Sequence, residues 1–468
     1  MSTIVWFRGK DLRLDHHPAV AEAGADAIHL FVLDPFFFAP ERAQQMRHRI
    51  QFLLDSLREL SAEIQRRGGR LICIRGRSDT VVPKFAKTVG ATRVVAMRWT
   101  EPVGRKRDQR VAARMEIPLV LLEGETLVPP GTVRSQSGTP YAVFSPFNRA
   151  LRRMPLAATP PAAPLHFTPP AVDIEGFDMA AIPTEESLGF TRNPNILKGG
   201  VSAASARLKA FIDGPASRYT EARDRMDMAG TSRLSADIKF GLLHPRRIWD
   251  AVMESDLPEH ERNKFADELV WREFNYSTLW DRPEVLSAPF KPAWEGFPWV
   301  DDDDRLTAWK TGQTGYPVVD AAARQLIETG YVHNRARMVA ASFFTKHLRL
   351  DYRLGESHYM QWLTDGDWAS NNMGWQWAAG CGADAQPWFR IFNPMTQGRR
   401  FDPQGEYVKR WVPELAKLDP KFVHAPWEAP ELLLRVAGVQ LGITYPHPIV
   451  DHKTAREEFL SVAKQHMN

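Results

Sequence analysis

Residues 331–344 read YVHNRARMVAASFF, residues 365–377 read DGDWASNNMGWQW, and residues 389–402 read FRIFNPMTQGRRFD. The spacing of the first predicts a helix, because Asn334, Arg337 and Met338 stand at i, i+3 and i+4 and share one face. Asp365 and Asp367 flank a glycine, which offers two carboxylates at a turn where the hydroxyls of a ribose could be held. Asn371, Trp375 and Trp377 follow at once. Indoles crowded beside amides are costly to bury unless something aromatic and polar sits among them, and a flavin has that character. Singly, Asp-Gly-Asp is a turn and Trp-Gln-Trp a piece of core; the joint pattern is what points to a site.

Outward from this stretch the chain is helical from about residue 201 to its end, with aromatic and aliphatic residues at helical spacing. Residues 151–200 change character. Pro155, Pro160, Pro161, Pro164, Pro169, Pro170, Pro183 and Pro194 exclude a continuous helix and predict a long Pro-rich connector, wrapped over the surface. Residues 1–150 read as α/β. Short apolar runs recur at TIVWF (3–7), AIHLFVLD (27–34), RLICIRG (70–76), TRVVAM (92–97) and PLVLLEG (118–124). Between the second and third, residues 47–67 keep Ile50, Leu53, Leu54, Leu57 and Leu60 on one helical face. Alternation at this spacing predicts an open parallel sheet with right-handed crossovers, Rossmann-like but without a GxGxxG after the first strand. The expected organisation is therefore 1–150 α/β, 151–200 connector and 201–468 a larger all-α domain.

Composition sets limits. At 468 residues the chain is too long for one core. Hydrophobic residues at 44% and charged residues at 25% are the balance of a water-soluble globular protein, and a net charge of +4 permits nucleic-acid binding without demanding it. Two cysteines, Cys73 and Cys381, exclude a disulfide scaffold and fit a reducing cytoplasm. The absence of CxxC and HExxH argues against a metal centre. No apolar run approaches the ~20 residues needed to span a bilayer, and no basic-then-apolar leader opens the chain. A soluble, cytoplasmic protein of bacterial type is expected, associated with the nucleoid when bound to DNA.

Taken together, HNRxRM, DGDxAxNNxGWQW and FRIFNPxxQGxxFD resemble the signatures of the DNA photolyase/cryptochrome family, in its cyclobutane pyrimidine dimer branch and class I-like. IVWFRGKDLRLDHHPAV (4–20) resembles the family's opening WFRRDLRLxDNPAL, and YPHPIVDHKTAR (445–456) its closing segment, so the resemblance covers essentially the whole chain. It implies an FAD-binding helical domain, an antenna chromophore in the α/β domain, and light-driven repair of cyclobutane pyrimidine dimers by electron transfer from excited reduced FAD to a flipped-out dimer. The alternatives are a cryptochrome-type blue-light photoreceptor and an electron-transfer flavoprotein. Against the first, the chain stops soon after its closing motif and shows no long tail for a signalling partner.

Site residues follow from the same resemblance. GTSRLSADIKFG (230–241) is, by itself, a helix start with Thr231, Ser232 and Ser235 as hydroxyls. The resemblance implies that this segment, with Arg233 and Leu234, holds the FAD diphosphate, helped by Tyr219. Asp365 and Asp367 resemble the adenosine- or ribityl-side carboxylates, Arg337 a partner for Asp365, and Asn371 the amide facing flavin N5. In DELVWREF (267–274), Glu268 and Trp271 are three apart and can face one cavity, where the carboxyl could donate a hydrogen bond as an acid; pairing of Glu268 with Arg272 is the structural alternative. The resemblance implies that Glu268 bonds the dimer's carbonyls, Trp271 and Trp377 line its pocket, and Asn334 and Met338 touch it. A methionine at 338, where the (6-4) branch has histidine, favours cyclobutane dimers, and His333 reads as structural.

Arg223, Arg272, Arg335, Arg390 and Gln397 are expected at the DNA, as are Arg399, Arg400 and Lys409. Glu101, in WTEPVGRKRD (99–108), is a helix-start carboxylate on residues alone and an antenna contact by resemblance; the antenna is 5,10-methenyltetrahydrofolate or an 8-hydroxy-deazaflavin. Trp375 and Trp299 match the inner and outer members of a photoreduction chain whose middle is here Tyr352, harder to oxidise without losing its proton, with Trp362 or Trp368 as a detour. Met373 stands where the family has glycine. The expected partner is UV-damaged DNA, and the expected state a monomer.

Overall fold

The computed structural model describes residues 2–156 and 158–467. They form two compact units: unit 1 comprises Met1–Ser217, Ser232–Pro283 and Thr364–Ala369, and unit 2 comprises Arg218–Thr231, Glu284–Leu363 and Ser370–Asn468.

Unit 1 is built on a five-stranded, wholly parallel sheet, β1 (Ser2–Phe7), β2 (Ile28–Leu33), β3 (Leu71–Arg75), β4 (Ala91–Met97) and β5 (Leu119–Leu122), in the order β3-β2-β1-β4-β5. All five expected strands are present. Their runs are largely apolar because both faces are covered. Val5, Phe7, Phe31 and Val95 face one core with Leu53, Leu57 and Phe240. Ile4, Trp6, Leu30 and Val94 face another with Val82, Phe85 and Val111. The first core is closed by α1 (Arg47–Arg66), which buries the expected stripe Ile50, Leu53, Leu54, Leu57 and Leu60. The second is closed by α2 (Ser78–Thr88) and α3 (Pro102–Ala112). Strand order reverses at β1, so the carboxyl ends of β1 and β4 splay into the crevice where ligands of such sheets settle. The proline-rich stretch is mostly irregular and lies on this unit: Arg58 donates to Pro183 O at 2.9 Å, and Phe167 N donates to Arg67 O at 2.6 Å.

Two helices of unit 1 bear on function. On α4 (Phe144–Leu151), Phe147 meets Phe274 of the long α5 (Glu259–Asp281) at 5.2 Å, and Asn148 and Arg152 bind Asp267. Unit 2 is helical, led by α6 (Pro317–Thr329), α7 (Asn334–Lys346), α8 (Tyr352–Trp362), α9 (Trp368–Ala379) and α10 (Pro394–Phe401) around one core. The closing motif is a staple: Tyr445 Oη donates to buried Asp320 at 2.6 Å, and Thr314 N, Thr314 Oγ1 and Gly315 N also donate to that carboxylate. Gly315, at φ 78°, lies where a side chain would strike the backbone of His447. An α/β sheet followed by a helical C-terminal region is the expected fold class.

Candidate functional site

In unit 1, the turn 232–235 opens the short helix Ser235–Lys239. Ser232 Oγ accepts from Leu234 N at 3.4 Å, and Arg233 takes a left-handed conformation, φ 54°. Arg233 and Ser235 are exposed. The segment is fixed from behind, since Arg207 binds Asp237 and Phe240 packs on Phe52 at 5.0 Å. A hydroxyl-bearing turn is thus presented on a rigid back, the arrangement a diphosphate needs.

The loop Thr364–Ala369 belongs to the same unit. Asp367 is buried and accepts from Tyr276 Oη of α5 at 2.6 Å. Thr364 Oγ1 is buried without a hydrogen-bond partner among the described residues, a group that a bound ligand would satisfy. Gly366 and Trp368 face a cavity of about 480 Å³ at the carboxyl ends of the strands, whose walls include Trp6, Arg8, Trp99 and Arg107. Trp368 thus has a place on the wall of this cavity. Glu101 lies on the same wall. It holds the N-cap position of α3, yet its carboxylate makes no capping bond and pairs with Lys10 at 2.8 Å. Burial pushes Glu101 up, against the pull of Lys10.

On α5, Glu268 and Trp271 are half-buried. Phe144 stacks flat on the Trp271 indole, with centroids 3.7 Å apart and planes at 4°, which fixes the ring. The Arg272 guanidinium turns inward, donating to Glu125 O at 2.9 Å, pairing with Glu273 at 3.3 Å and lying 3.9 Å over Tyr276.

In unit 2, His333 caps α7, its Nδ1 accepting from Arg335 N at 3.1 Å, and burial lowers its pKa to about 4. A neutral capping histidine is a structural one. Asn334 donates to Met338 Sδ at 3.6 Å, so these two side chains do meet on one face. Arg337 Nε donates to Val332 O at 2.8 Å, and Arg335 pairs with Asp224 at 2.8 Å. Tyr219 is buried under Arg223, whose guanidinium lies 5.6 Å from the ring, and Thr231 is 3.4 Å from Tyr331 Oη. Arg390 is exposed, Trp377 is half-buried, and Gln397 Oε1 is buried without a partner among the described residues.

Asn371 Nδ2 donates to Glu356 O at 3.0 Å, while Asn372 Nδ2 donates to both oxygens of the Glu356 carboxyl at 3.1 and 3.0 Å. Burial pushes Glu356 up to about 7. Sequence reading missed this residue; the one available signal was a carboxylate one position after Gly355, in the helix preceding the amide pair. Gly355 itself makes room for Trp375, because a side chain there would meet the indole. Met373 is buried.

Trp375 meets Tyr359 at 5.2 Å, Phe344 at 5.5 Å and Trp309 at 5.8 Å, the last absent from the expected set. Trp299 lies 6.4 Å from Tyr352. The Tyr352 hydroxyl is buried without a partner among the described residues, so no base stands by to take its proton. Trp309 also adjoins His358, which adjoins Trp362.

Residues 3–165 match the family model for DNA photolyase, and residues 265–465 match the model for the FAD binding domain of DNA photolyase. A deoxyribodipyrimidine photo-lyase of Agrobacterium fabrum is 38% identical over 98% of this chain and 96% of its own. Among solved structures, a bacterial class III photolyase from Agrobacterium tumefaciens superposes with a TM-score of 0.91 at 36% identity, covering 99% of this chain and 97% of the other. A Synechocystis cryptochrome gives 0.88 at 28% identity, covering 99% of each chain. The two model matches together span both the parallel sheet and the helical region, and the relative runs nearly end to end: the chain belongs to the DNA photolyase family.

Proposed function

We propose that this protein is a deoxyribodipyrimidine photo-lyase, a carbon–carbon lyase that uses light to reopen cyclobutane pyrimidine dimers in UV-damaged DNA. The observation that carries the reading is the seating of Trp271. An indole clamped by Phe144, one helical turn from a carboxyl, is a rigid platform for an extruded base beside a group that can bond its carbonyls. A pure light sensor has no use for such a platform.

The residues fit FAD. Hydroxyls and backbone N–H groups at 231–235, with Tyr219, suit its diphosphate; Asp365 and Asp367 suit its sugar hydroxyls; Arg337 and Asn371 complete the set. Bound FAD supplies a light-excited electron donor, and ring opening is neutral in electrons overall. The chain's own residues orient and exclude water. Glu268 donates to or accepts from the base carbonyls, Trp271 and Trp377 stack, and Asn334 and Met338 fill the remaining contacts. Arg223, Arg335 and Arg390 bind the flanking backbone without reading sequence, and Gln397 fills or borders the gap left by the extruded bases. An antenna, a folate such as 5,10-methenyltetrahydrofolate or an 8-hydroxy-deazaflavin, suits the aromatic, arginine-rich cavity beside Glu101. Residues 1–150 would form the antenna domain, 151–200 the connector and 201–468 the flavin and repair domain. The protein acts as a monomer in the cytoplasm, at the nucleoid when bound to damage. Among the described residues no helix is long and apolar enough to cross a membrane.

The likeness to a cryptochrome supports a second reading, a flavin photoreceptor. Fluorescence anisotropy with a dimer-containing and an undamaged oligonucleotide separates the two. Marked preference for the dimer is expected, reduced by about tenfold in Glu268→Ala, the size of one hydrogen bond to a charged group. Equal affinity for both oligonucleotides favours the photoreceptor.

A further inference from the structure

The densest buried charge in unit 1 gathers on Lys10. Its side chain is 3% exposed, and its ammonium lies 2.6 Å from Glu125, 2.8 Å from Glu101, 3.3 Å from Tyr276 Oη and 3.4 Å from Asp367. Three carboxylates on three separate segments share one cation. The faces of Trp99 and Tyr276 enclose it at 5.5 and 5.2 Å. The other charged groups acting on this cluster are Arg49, Lys239, Arg272 and Asp365, with Glu273 beyond Arg272.

Gly9 and Lys10 stand between Arg8 and Asp11 in the turn that follows β1. Arg8 N donates to Asp11 at 2.6 Å, which closes this turn after β1 and aims Lys10 inward.

We propose that Lys10 is a positioning residue for the flavin-binding loop Thr364–Ala369: one ammonium makes it possible for Asp367 to sit against Glu101 and Glu125. This rests on the reading of Asp365 and Asp367 as FAD contacts. Glu125 is tied down, its second oxygen accepting from Thr100 N at 2.8 Å, and Glu101 is fixed at the start of α3. Asp367 is carried by the loop, and its other tie is the bond it accepts from Tyr276 Oη at 2.6 Å. Without the cation, one carboxyl must take a proton or the loop must shift. Lys10, Glu101, Gly366 and Trp368 also line the 480 Å³ cavity, so the same cation joins the geometry of that cavity to the loop.

The test is Lys10→Met, which keeps the stem and removes the charge. In the FAD-loaded protein, release of flavin, read from its fluorescence, should be about tenfold faster than wild type at pH 8, the size of one lost charged hydrogen bond. The excess over wild type should shrink as pH is lowered to 6, since a proton on one carboxyl can stand in for the ammonium; the wild type should change little. In the flavin-free protein, hydrogen exchange should show residues 364–369 losing protection while β1 and β4 keep theirs. Should Lys10→Met not fold, the same variant with Glu101→Gln removes a carboxylate together with the cation and should hold the loop. Wild-type flavin release at both pH values, with unchanged exchange in the loop, overturns the proposal. A wild type that binds no FAD overturns the flavin reading instead, and the exchange arm still judges Lys10.

Discussion

Glu356 is a carboxyl that burial pushes from an ordinary 4.5 up to about 7. It holds its proton in the folded protein over a range where the unfolded chain has released it. Stability from this source is therefore present at low pH, is lost as pH rises from about 4.5 to 7, and stays lost above that. Glu356→Gln mimics the protonated carboxyl beside Asn372. In urea denaturation it should be nearly neutral at pH 5 and stabilising at pH 8, by at most about 3 kcal/mol. An equal effect at both pH values would show that Glu356 does not carry the proton. Such residues were hidden in the sequence for a physical reason. Lys10 meets Asp367 across 357 positions, and no local period records an electrostatic partner that distant. Glu101 shows the same limit: its helix-start position was legible, but its pairing with Lys10, rather than with the helix, was not.

Helices and strands were read where burial writes a period. The five strands are largely apolar runs because both sheet faces are covered, and α1 carries its stripe because one side meets the sheet. α7 was legible from Asn334, Arg337 and Met338, and α5 delivers Glu268 and Trp271 one turn apart as their spacing required. The partners of those helices were not legible. Phe144 on Trp271, and Trp309 against Trp375, arrive from elements 127 and 66 residues away, and such ring contacts leave no mark in either local sequence. The partners of Arg272 were hidden for the same reason, since a basic residue on a helix gives no sign of which way its guanidinium turns. The closing motif has an element-scale role in the Asp320 staple. Tyr445→Phe removes one of four donors to a fully buried carboxylate and should cost about 1–3 kcal/mol. The expected result is a lower urea midpoint with an unchanged slope; an unchanged midpoint would mean that the staple contributes nothing.

At the scale of the molecule, family and fold class were the most legible features, because the motifs span the chain and each falls on an element built to carry it. The 480 Å³ cavity follows from strand order, which reverses at β1 and opens the carboxyl ends of β1 and β4. Membership of the family leaves one question open to experiment, whether this chain repairs or senses. The most direct measurement uses purified protein, its flavin chemically reduced, mixed with an oligonucleotide holding one thymine dimer. Restored thymines are counted after blue light and after an equal time in darkness. Restoration in the light alone is the predicted result. No restoration, with flavin bound and reduced and the oligonucleotide bound, would contradict the account and leave a photoreceptor.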